Sequence, residues 1–194
     1  AQLMAGLRAE KAPVVGFVNE NKLVAEGRVQ GVRLHMLRDW LDAGADLGNH
    51  TYGHVDLNAV GLDAFEGDIL RGEVVLRPLL EEKGKTPQWF RHPYLRAGRT
   101  PEDKAALQAF LAEHGYRIAP VTHDNSEWIW AAAYRNVLKG DGDPATLARL
   151  RHAQLEQQLG DQQPFLDRLV HGVGGAHAQQ RGLVLGVVLG GHDQ

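Results

Sequence analysis

The chain has 194 residues, of which 43% are apolar and 23% charged, with a formal net charge of −3 and no cysteine. This length and composition suit one folded domain, argue against wholesale disorder and disfavour a general nucleic-acid binder. No apolar stretch reaches the roughly 18 residues of a membrane span, and any metal ion must be held by histidine and carboxylate side chains rather than by thiolates.

Helical and strand-like patterns alternate along the chain. Apolar spacing and helix-stopping residues predict, in chain order, the end of a helix stopped by Pro13, a buried strand at Val14–Val18, a polar loop over 19–28, a helix over 32–43 and a short strand over 45–48. A long helix over 62–83, a strand over 88–90, a helix from Thr100 to Gly115 and a strand over 116–121 are predicted next. The remaining predicted elements are helices up to 139 and from 143 to about 159, and a last strand over 183–189. This alternation predicts an α/β fold with parallel strands and outer helices.

The last 34 residues differ in composition from the rest, since they hold seven of the 23 glycines. We therefore divide the chain into a main domain over residues 1–160 and a glycine-rich segment over 161–194, which is expected to add a last strand to the same domain. The composition also fits a second interpretation, in which this segment is a diverged or frame-shifted end.

Three polar clusters follow predicted strands, at the sheet edge where α/β folds place their sites. The first is His50-Thr51-Tyr52-Gly53-His54. Two imidazoles four residues apart can converge on one divalent metal ion, and a carboxylate would complete such a site. The alternative is a pair of surface histidines on a polar loop, and the spacing alone leaves both interpretations open.

The second cluster is Phe90-Arg91-His92-Pro93-Tyr94. Arg91 can fix a carboxylate through a two-pronged hydrogen bond. Pro93 stiffens the loop, so a backbone N–H there could point at a developing oxyanion. Taken alone, this cluster favours the simpler interpretation of a rigid turn after a strand.

The third cluster is Asp124-Asn125-Ser126-Glu127-Trp128. Ser126 or Asn125 is expected to cap the following helix. That role leaves Asp124 able to orient a catalytic imidazole and Trp128 able to form an apolar wall against a ligand.

The order and spacing of the three clusters resemble the polysaccharide deacetylases, that is, carbohydrate esterase family 4 with its NodB-homology domain. The segment AGADLGNHTYGHVDL resembles the family's H-[ST]-x-x-H motif with its lead-in, and RHPY resembles R-x-P-[YF]. The segment DNSEW resembles D-x-x-D-W, with Glu127 where the family has aspartate. The strand Val14–Val18 also resembles the family's second strand. The resemblance covers roughly residues 1–140.

The resemblance implies a distorted (β/α) barrel with a divalent metal ion, usually Zn²⁺, in a groove at the carboxyl ends of the strands. It also implies hydrolysis of acetyl groups on an N-acetylated carbohydrate such as chitooligosaccharide or peptidoglycan. Because these substrates lie outside the cytoplasm, the full-length protein is expected to be periplasmic or extracellular, with no nucleic-acid partner.

A role for each matching residue is implied as well. By the resemblance, His50 and His54 would be metal ligands, and Arg91 would hold the catalytic base. Tyr94 would stabilise the oxyanion and contact the substrate. Asp124 would orient the general-acid histidine, and Trp128 would line the acetyl pocket.

Two parts of the family's pattern have no clear match. The family's first motif ends in adjacent aspartates that serve as base and third metal ligand, and this sequence contains no Asp-Asp pair. We expect that the chain is truncated before its first strand, that the third ligand is missing and that activity is impaired. The family's Leu-x-His motif is matched loosely at His171 and at His192, and neither is preferred as the general acid.

Two other functions remain open at this point. A non-catalytic carbohydrate-binding pseudoenzyme on the same fold could use Tyr94 and Trp128 to stack on sugars. An unrelated metallohydrolase could use His50 and His54, which would require Arg91 and Asp124 to lie far from the histidine pair.

Overall fold

The computed structural model describes residues 2–9, 13–121, 127–171 and 185–189. The strands are Val14–Val18 (β1), Val24–Ala25 (β2), Arg28–Val29 (β3), Asp46–Asn49 (β4), Trp89–Phe90 (β5), Arg117–Ile118 (β6) and Leu185–Leu189 (β7). The α-helices are Gln2–Ala9 (α1), Gly31–Asp42 (α2), Leu57–Val60 (α3), Leu62–Arg71 (α4), Leu76–Glu81 (α5), Pro101–Glu113 (α6), Glu127–Lys139 (α7) and Pro144–His171 (α8). Short 3-10 helices cover Glu20–Leu23 and Pro93–Leu95.

Five strands form one parallel sheet in the order β6-β5-β4-β1-β7. Val18 at the end of β1 is level with Asn49 and with Leu189, and Asn49 is level with Phe90. The strands therefore finish side by side at one edge. The predicted α/β fold is confirmed, and the open parallel sheet is consistent with an incomplete barrel.

Both faces of β1 are buried, which explains its unbroken apolar run. Val14 and Val18 pack into one core cluster with Trp40, while Val15 and Phe17 pack on the other face against Ala119. A further cluster around Phe65 and Phe90 fills the space between the sheet and helices α4 and α6. These helices and strands hold the carboxyl edge of the sheet in place.

The chain divides into two compact units, residues 1–120 with 182–194, and residues 121–181. In the second unit α7 packs against α8. There the indole Nε1 of Trp130 donates to Gln157 at 3.0 Å, and the Arg151 guanidinium donates to the Tyr134 hydroxyl at 2.6 Å. The division at residue 160 stays a prediction. In the described part of the chain, no helix has the length and apolar character needed to cross a membrane.

The prediction of one continuous helix over residues 62–83 is wrong. The helix ends at Arg71 and a new one begins at Leu76. Pro78 is the third residue of α5, a position in the first turn where a backbone N–H makes no bond within the helix, so proline is tolerated there. In a continuous helix, the Pro78 ring would clash with the carbonyl four residues earlier. The turn between α4 and α5 is used at the candidate site described below.

Three other boundaries also differ from prediction. The polar segment 19–28 is not a simple loop, because it contains a 3-10 helix and the β2–β3 hairpin with a two-residue turn at Glu26 and Gly27, both at positive φ. The strand expected over 116–121 is limited to β6, and α8 continues to His171 instead of ending near Leu159. The predicted start of α6 is confirmed, since the Thr100 side chain accepts a hydrogen bond from the Asp103 N–H.

Gly48 in β4 is expected to tolerate no side chain. A Cβ there would lie 2.6 Å from Phe17 Cε1 and 2.9 Å from the Trp89 carbonyl oxygen, which is backbone and cannot move aside. Gly48→Ala should therefore lower the free energy of unfolding by about 1–3 kcal/mol through overpacking. Urea unfolding followed by circular dichroism measures this change.

Gly67 provides the matched control for that experiment. It is exposed within α4 and a Cβ there would meet nothing within 4 Å. Gly67→Ala should stabilise the protein by about 0.5–1 kcal/mol, because alanine loses less backbone entropy in a helix. Equal effects of the two substitutions would contradict the close approach at Gly48.

Candidate functional site

The candidate site begins where β4 ends. The His50 N–H donates to the Val18 carbonyl at 3.1 Å, and the Arg91 N–H donates to the Asn49 carbonyl at 3.1 Å. The sheet's hydrogen bonding thus extends one residue beyond the strands. As a result, His50 and Arg91 start from fixed positions on neighbouring strands at the carboxyl edge.

The two predicted metal-binding histidines lie together. Their ring centroids are 4.9 Å apart with an interplanar angle of 67°. Zn–N bonds of about 2.0–2.1 Å and a near-tetrahedral angle would place the centroids of two zinc-bound imidazoles roughly 5 Å apart. His50 is buried and His54 half-buried. The pair therefore fits two ligands of one divalent ion.

His50 is oriented by the backbone of the second cluster. Its Nδ1 lies 2.8 Å from the Arg91 carbonyl oxygen. A carbonyl only accepts, so Nδ1 carries the proton and Nε2 carries the lone pair that a metal ion uses. Histidine ligands in metalloproteins are commonly held by a hydrogen bond of this kind at the second ring nitrogen.

The loop between the histidines is held in an unusual backbone conformation. Thr51 and His54 have φ values of +64° and +55°. A β-branched residue rarely adopts positive φ, and such a residue costs about 1–3 kcal/mol unless its surroundings hold it. Two hydrogen bonds within the segment hold it here: Asn49 Oδ1 accepts from the Thr51 N–H at 2.7 Å, and Thr51 Oγ1 accepts from the His54 N–H at 3.0 Å.

Neighbouring elements fix the remaining backbone of this loop. The Asn19 side-chain amide donates to the carbonyls of His50 at 2.5 Å and Thr51 at 3.2 Å. On the other side, Asp68 accepts from the Tyr52 N–H through its backbone oxygen and from the Gly53 N–H through Oδ2, at 3.0 and 2.8 Å. The loop is therefore tied to the end of β1 and to helix α4.

Arg91 and Tyr94 of the second cluster lie beside the histidines. The guanidinium carbon of Arg91 is 4.5 Å from the centroid of the Phe17 ring, which is itself 6.2 Å from that of His50. The Tyr94 ring lies 4.6 Å from the His54 ring and is 48% exposed, with the backbone at φ +53°. The structure thus brings both predicted residues to the edge that carries the histidine pair.

Most of the third cluster lies outside the described residues. Asp124 lies outside the described residues, as does His192. Trp128 belongs to α7 and His171 ends α8, but their side chains lie outside the described part. The roles expected for these residues stay predictions. Among residues 2–9, 13–121, 127–171 and 185–189, no group of three or more metal-ligating side chains occurs.

Several buried polar residues around the loop were missed by the sequence analysis. They are Asn19, Glu20, Asn49, Glu73 and Tyr116, all buried. Glu20 accepts from the N–H groups of Val75 and Leu76 at 2.8 and 2.6 Å, and its burial raises the pKa of its carboxyl group. The available signal was the polar residue directly after the strands predicted over 14–18 and 45–48, at positions 19 and 49.

Comparison with known families identifies the chain. The model of the polysaccharide deacetylase family matches residues 1–119. The chain belongs to the polysaccharide deacetylase family. A comparison with curated protein sequences finds no match.

Solved structures of similar fold include a carbohydrate esterase, a chitin deacetylase and a pseudoenzyme. A family 4 carbohydrate esterase from Streptomyces lividans, in complex with acetate, is 19% identical with a TM-score of 0.51, over 81% of this chain and 80% of that one. The chitin deacetylase from Colletotrichum lindemuthianum is 24% identical with a TM-score of 0.56, over 80% of this chain and 57% of that one. A family 4 pseudoenzyme from Bacillus anthracis is 13% identical with a TM-score of 0.51, over 80% and 55%.

These likenesses show the fold, an α/β fold of the family's deacetylase type. The chain spans little more than half the length of the fungal enzyme and of the pseudoenzyme, at 57% and 55%.

His92 is a half-buried imidazole within the second cluster, and its Nδ1 atom is buried. Its ring lies 5.1 Å from that of Phe90, edge to face, and its Nδ1 has no hydrogen-bond partner within the described part of the chain. Burial lowers the pKa of His92 to about 4, and the positive charge of Lys104 contributes to the decrease.

This lowered pKa predicts a pH-dependent stability. Between pH 6.5 and 4, the unfolded chain binds a proton that folded His92 does not, so stability falls as pH decreases below about 6.5. His92→Phe should reduce the difference in unfolding free energy between pH 7.5 and pH 5 by on the order of 1–2 kcal/mol. Urea unfolding at the two pH values measures it, and an unchanged difference would contradict a neutral His92 in the folded protein.

Proposed function

We propose that this chain carries the histidine part of a metal-dependent deacetylase site that hydrolyses acetyl groups on an N-acetylated carbohydrate. The observation that carries the proposal is the His50–His54 pair, with ring centroids 4.9 Å apart and His50 oriented through Nδ1 by the Arg91 carbonyl. Membership of the polysaccharide deacetylase family supports it.

The substrate class follows from the family and from the exposed aromatic side chain at the site. Chitooligosaccharide and peptidoglycan are the candidate substrates, and the fold match to a chitin deacetylase supports the first. Tyr94 is 48% exposed beside His54, where its ring can stack on a sugar face. Because such polymers lie outside the cytoplasm, we propose that the protein acts in the periplasm or outside the cell.

The residues at this edge have distinct tasks in the proposed reaction. His50 and His54 would hold a divalent ion, for which we propose Zn²⁺, and the bound ion would supply a Lewis acid for amide hydrolysis. Arg91 holds the catalytic carboxylate through its guanidinium group. The backbone N–H of Tyr94 donates to the oxyanion that develops on the acetyl carbonyl.

Two residues of the third cluster complete the proposal. Asp124 orients the histidine that protonates the leaving amine, a poor leaving group that needs this proton. Trp128 lines the acetyl pocket. The printed sequence contains no Asp-Asp pair, the family's source of base and third ligand. We therefore propose that this chain alone binds Zn²⁺ weakly and turns over slowly.

Metal titration tests the histidine pair. Co²⁺ binding, followed by its visible absorption and by calorimetry, should saturate at one ion per chain in the wild type. His50→Ala and His54→Ala should each weaken binding at least tenfold, because each removes one imidazole ligand. His35→Ala is the matched control, since His35 on α2 is 75% exposed and should change the affinity less than twofold. Equal affinities in all four proteins, or no saturable binding, would contradict the proposal.

Acetate release separates the enzyme from its main alternative, a carbohydrate-binding pseudoenzyme. That alternative is favoured by the exposed Tyr94 ring and by the fold match to a pseudoenzyme. With Zn²⁺ and chitotetraose, the deacetylase should release acetate at a slow rate that His54→Ala reduces at least tenfold, because it removes one ligand of the ion. A pseudoenzyme would bind the sugar and lose that binding in Tyr94→Ala, without acetate release from either protein.

A further inference from the structure

A series of buried hydrogen bonds leads to Asn49, the residue that precedes His50. Glu73, in the turn between α4 and α5, accepts from the Tyr116 hydroxyl at 2.7 Å. The Tyr116 oxygen in turn accepts from Asn49 Nδ2 at 2.9 Å. Asn49 is the last residue of β4 and directly precedes His50. These hydrogen bonds therefore connect three segments that are distant in the sequence.

The direction of these bonds is fixed by charge and burial. Arg77 donates through Nε to Glu73 Oε2 at 2.8 Å, which leaves Glu73 Oε1 to accept from the Tyr116 hydroxyl. Burial and the neighbouring Glu73 carboxylate raise the pKa of Tyr116, so its hydroxyl keeps its proton. That single proton points to Glu73, and the Tyr116 oxygen is left to accept from Asn49.

The orientation of the Asn49 carboxamide determines its contact with the loop between the histidines. Its second Nδ2 hydrogen goes to the Ile69 carbonyl at 2.9 Å, and its Oδ1 accepts from the Thr51 N–H at 2.7 Å. Exchanging the oxygen and nitrogen of this carboxamide would break all three bonds at a residue with 0% exposure. The Thr51 N–H is therefore held at one point in space.

The turn that carries Glu73 also packs directly on the loop. A Cβ at Gly72 would lie 3.0 Å from the Thr51 carbonyl carbon and from the Tyr52 nitrogen, and 3.1 Å from Asn49 Oδ1. This approach leaves the loop little room for any other conformation. Since Thr51 has φ +64° and links the two histidines, small shifts there change the angle between their rings.

We propose that the Glu73–Tyr116–Asn49 chain is a positioning device that fixes the relative geometry of the His50 and His54 rings through the backbone of Thr51. Asn49 and Tyr116 are positioning residues, because they act on the histidines through the Thr51 backbone. The inference rests on the proposed function in one respect, namely that the two histidines hold a metal ion.

Tyr116→Phe in the full chain is the central test. It removes one hydroxyl, leaves the ring in its core cluster, and frees Asn49 from its link to Glu73. Long-range ¹H–¹⁵N spectra of the histidine rings report their geometry without metal, and Co²⁺ titration reports affinity. We expect displaced ring signals for His50 and His54 and roughly tenfold weaker Co²⁺ binding, the lower end of effects from removing support behind metal ligands.

Two controls separate positioning from general stability. Tyr134→Phe removes a hydroxyl from the second compact unit, where Tyr134 accepts from Arg151. Leu107→Val trims a fully buried side chain in the same core cluster as Tyr116 and should lower the melting temperature. Neither should move the histidine signals or change the Co²⁺ affinity more than twofold.

The outcomes distinguish this inference from the proposed function. Unmoved histidine signals in Tyr116→Phe, or shifts equal to those in Leu107→Val, would overturn the positioning role even if the protein binds metal. If the wild type binds no Co²⁺, the metal proposal fails, and the metal-free ring signals still decide the positioning role. Should Tyr116→Phe not fold, Asn49→Ser, which shortens the side chain and breaks its bond to Tyr116, replaces it with the same expectations.

Discussion

The candidate site depends on a threonine held in a left-handed backbone conformation. At Thr51 the chain leaves β4 and turns so that the histidines on either side face each other. This conformation is costly for a β-branched residue, at about 1–3 kcal/mol, and each net hydrogen bond offsets only about 0.5–1.5 kcal/mol. Several bonds are therefore needed, and they come from Asn19, from Asn49 and from the threonine hydroxyl itself.

The parallel sheet makes these contacts available. β1, β4 and β5 end level with one another, so residues that follow different strands meet at one edge. The Arg91 carbonyl reaches His50 in this way, and the Asn19 amide reaches the loop carbonyls.

Burying the polar groups near the loop costs free energy, and hydrogen bonds and ion pairs offset this cost. Glu73 is neutralised by Arg77 and bonded to Tyr116, and Glu20 accepts two backbone N–H groups at the start of α5. A half-satisfied network would be less stable than an apolar core. The break between α4 and α5 brings Glu73 to this position, and a straight helix would carry it elsewhere.

The sequence by itself determined the α/β class, the buried strand β1, the capped start of α6 and the proximity of two polar clusters to strand ends. These follow from local periodicity and from the residue types that cap and stop helices, which act over a few positions. Only the tertiary structure decided the left-handed Thr51 and the link from Glu73 through Tyr116 to Asn49. Such features depend on contacts between residues dozens of positions apart, which no local pattern encodes. The sequence pattern therefore located the histidines, while long-range packing set their geometry.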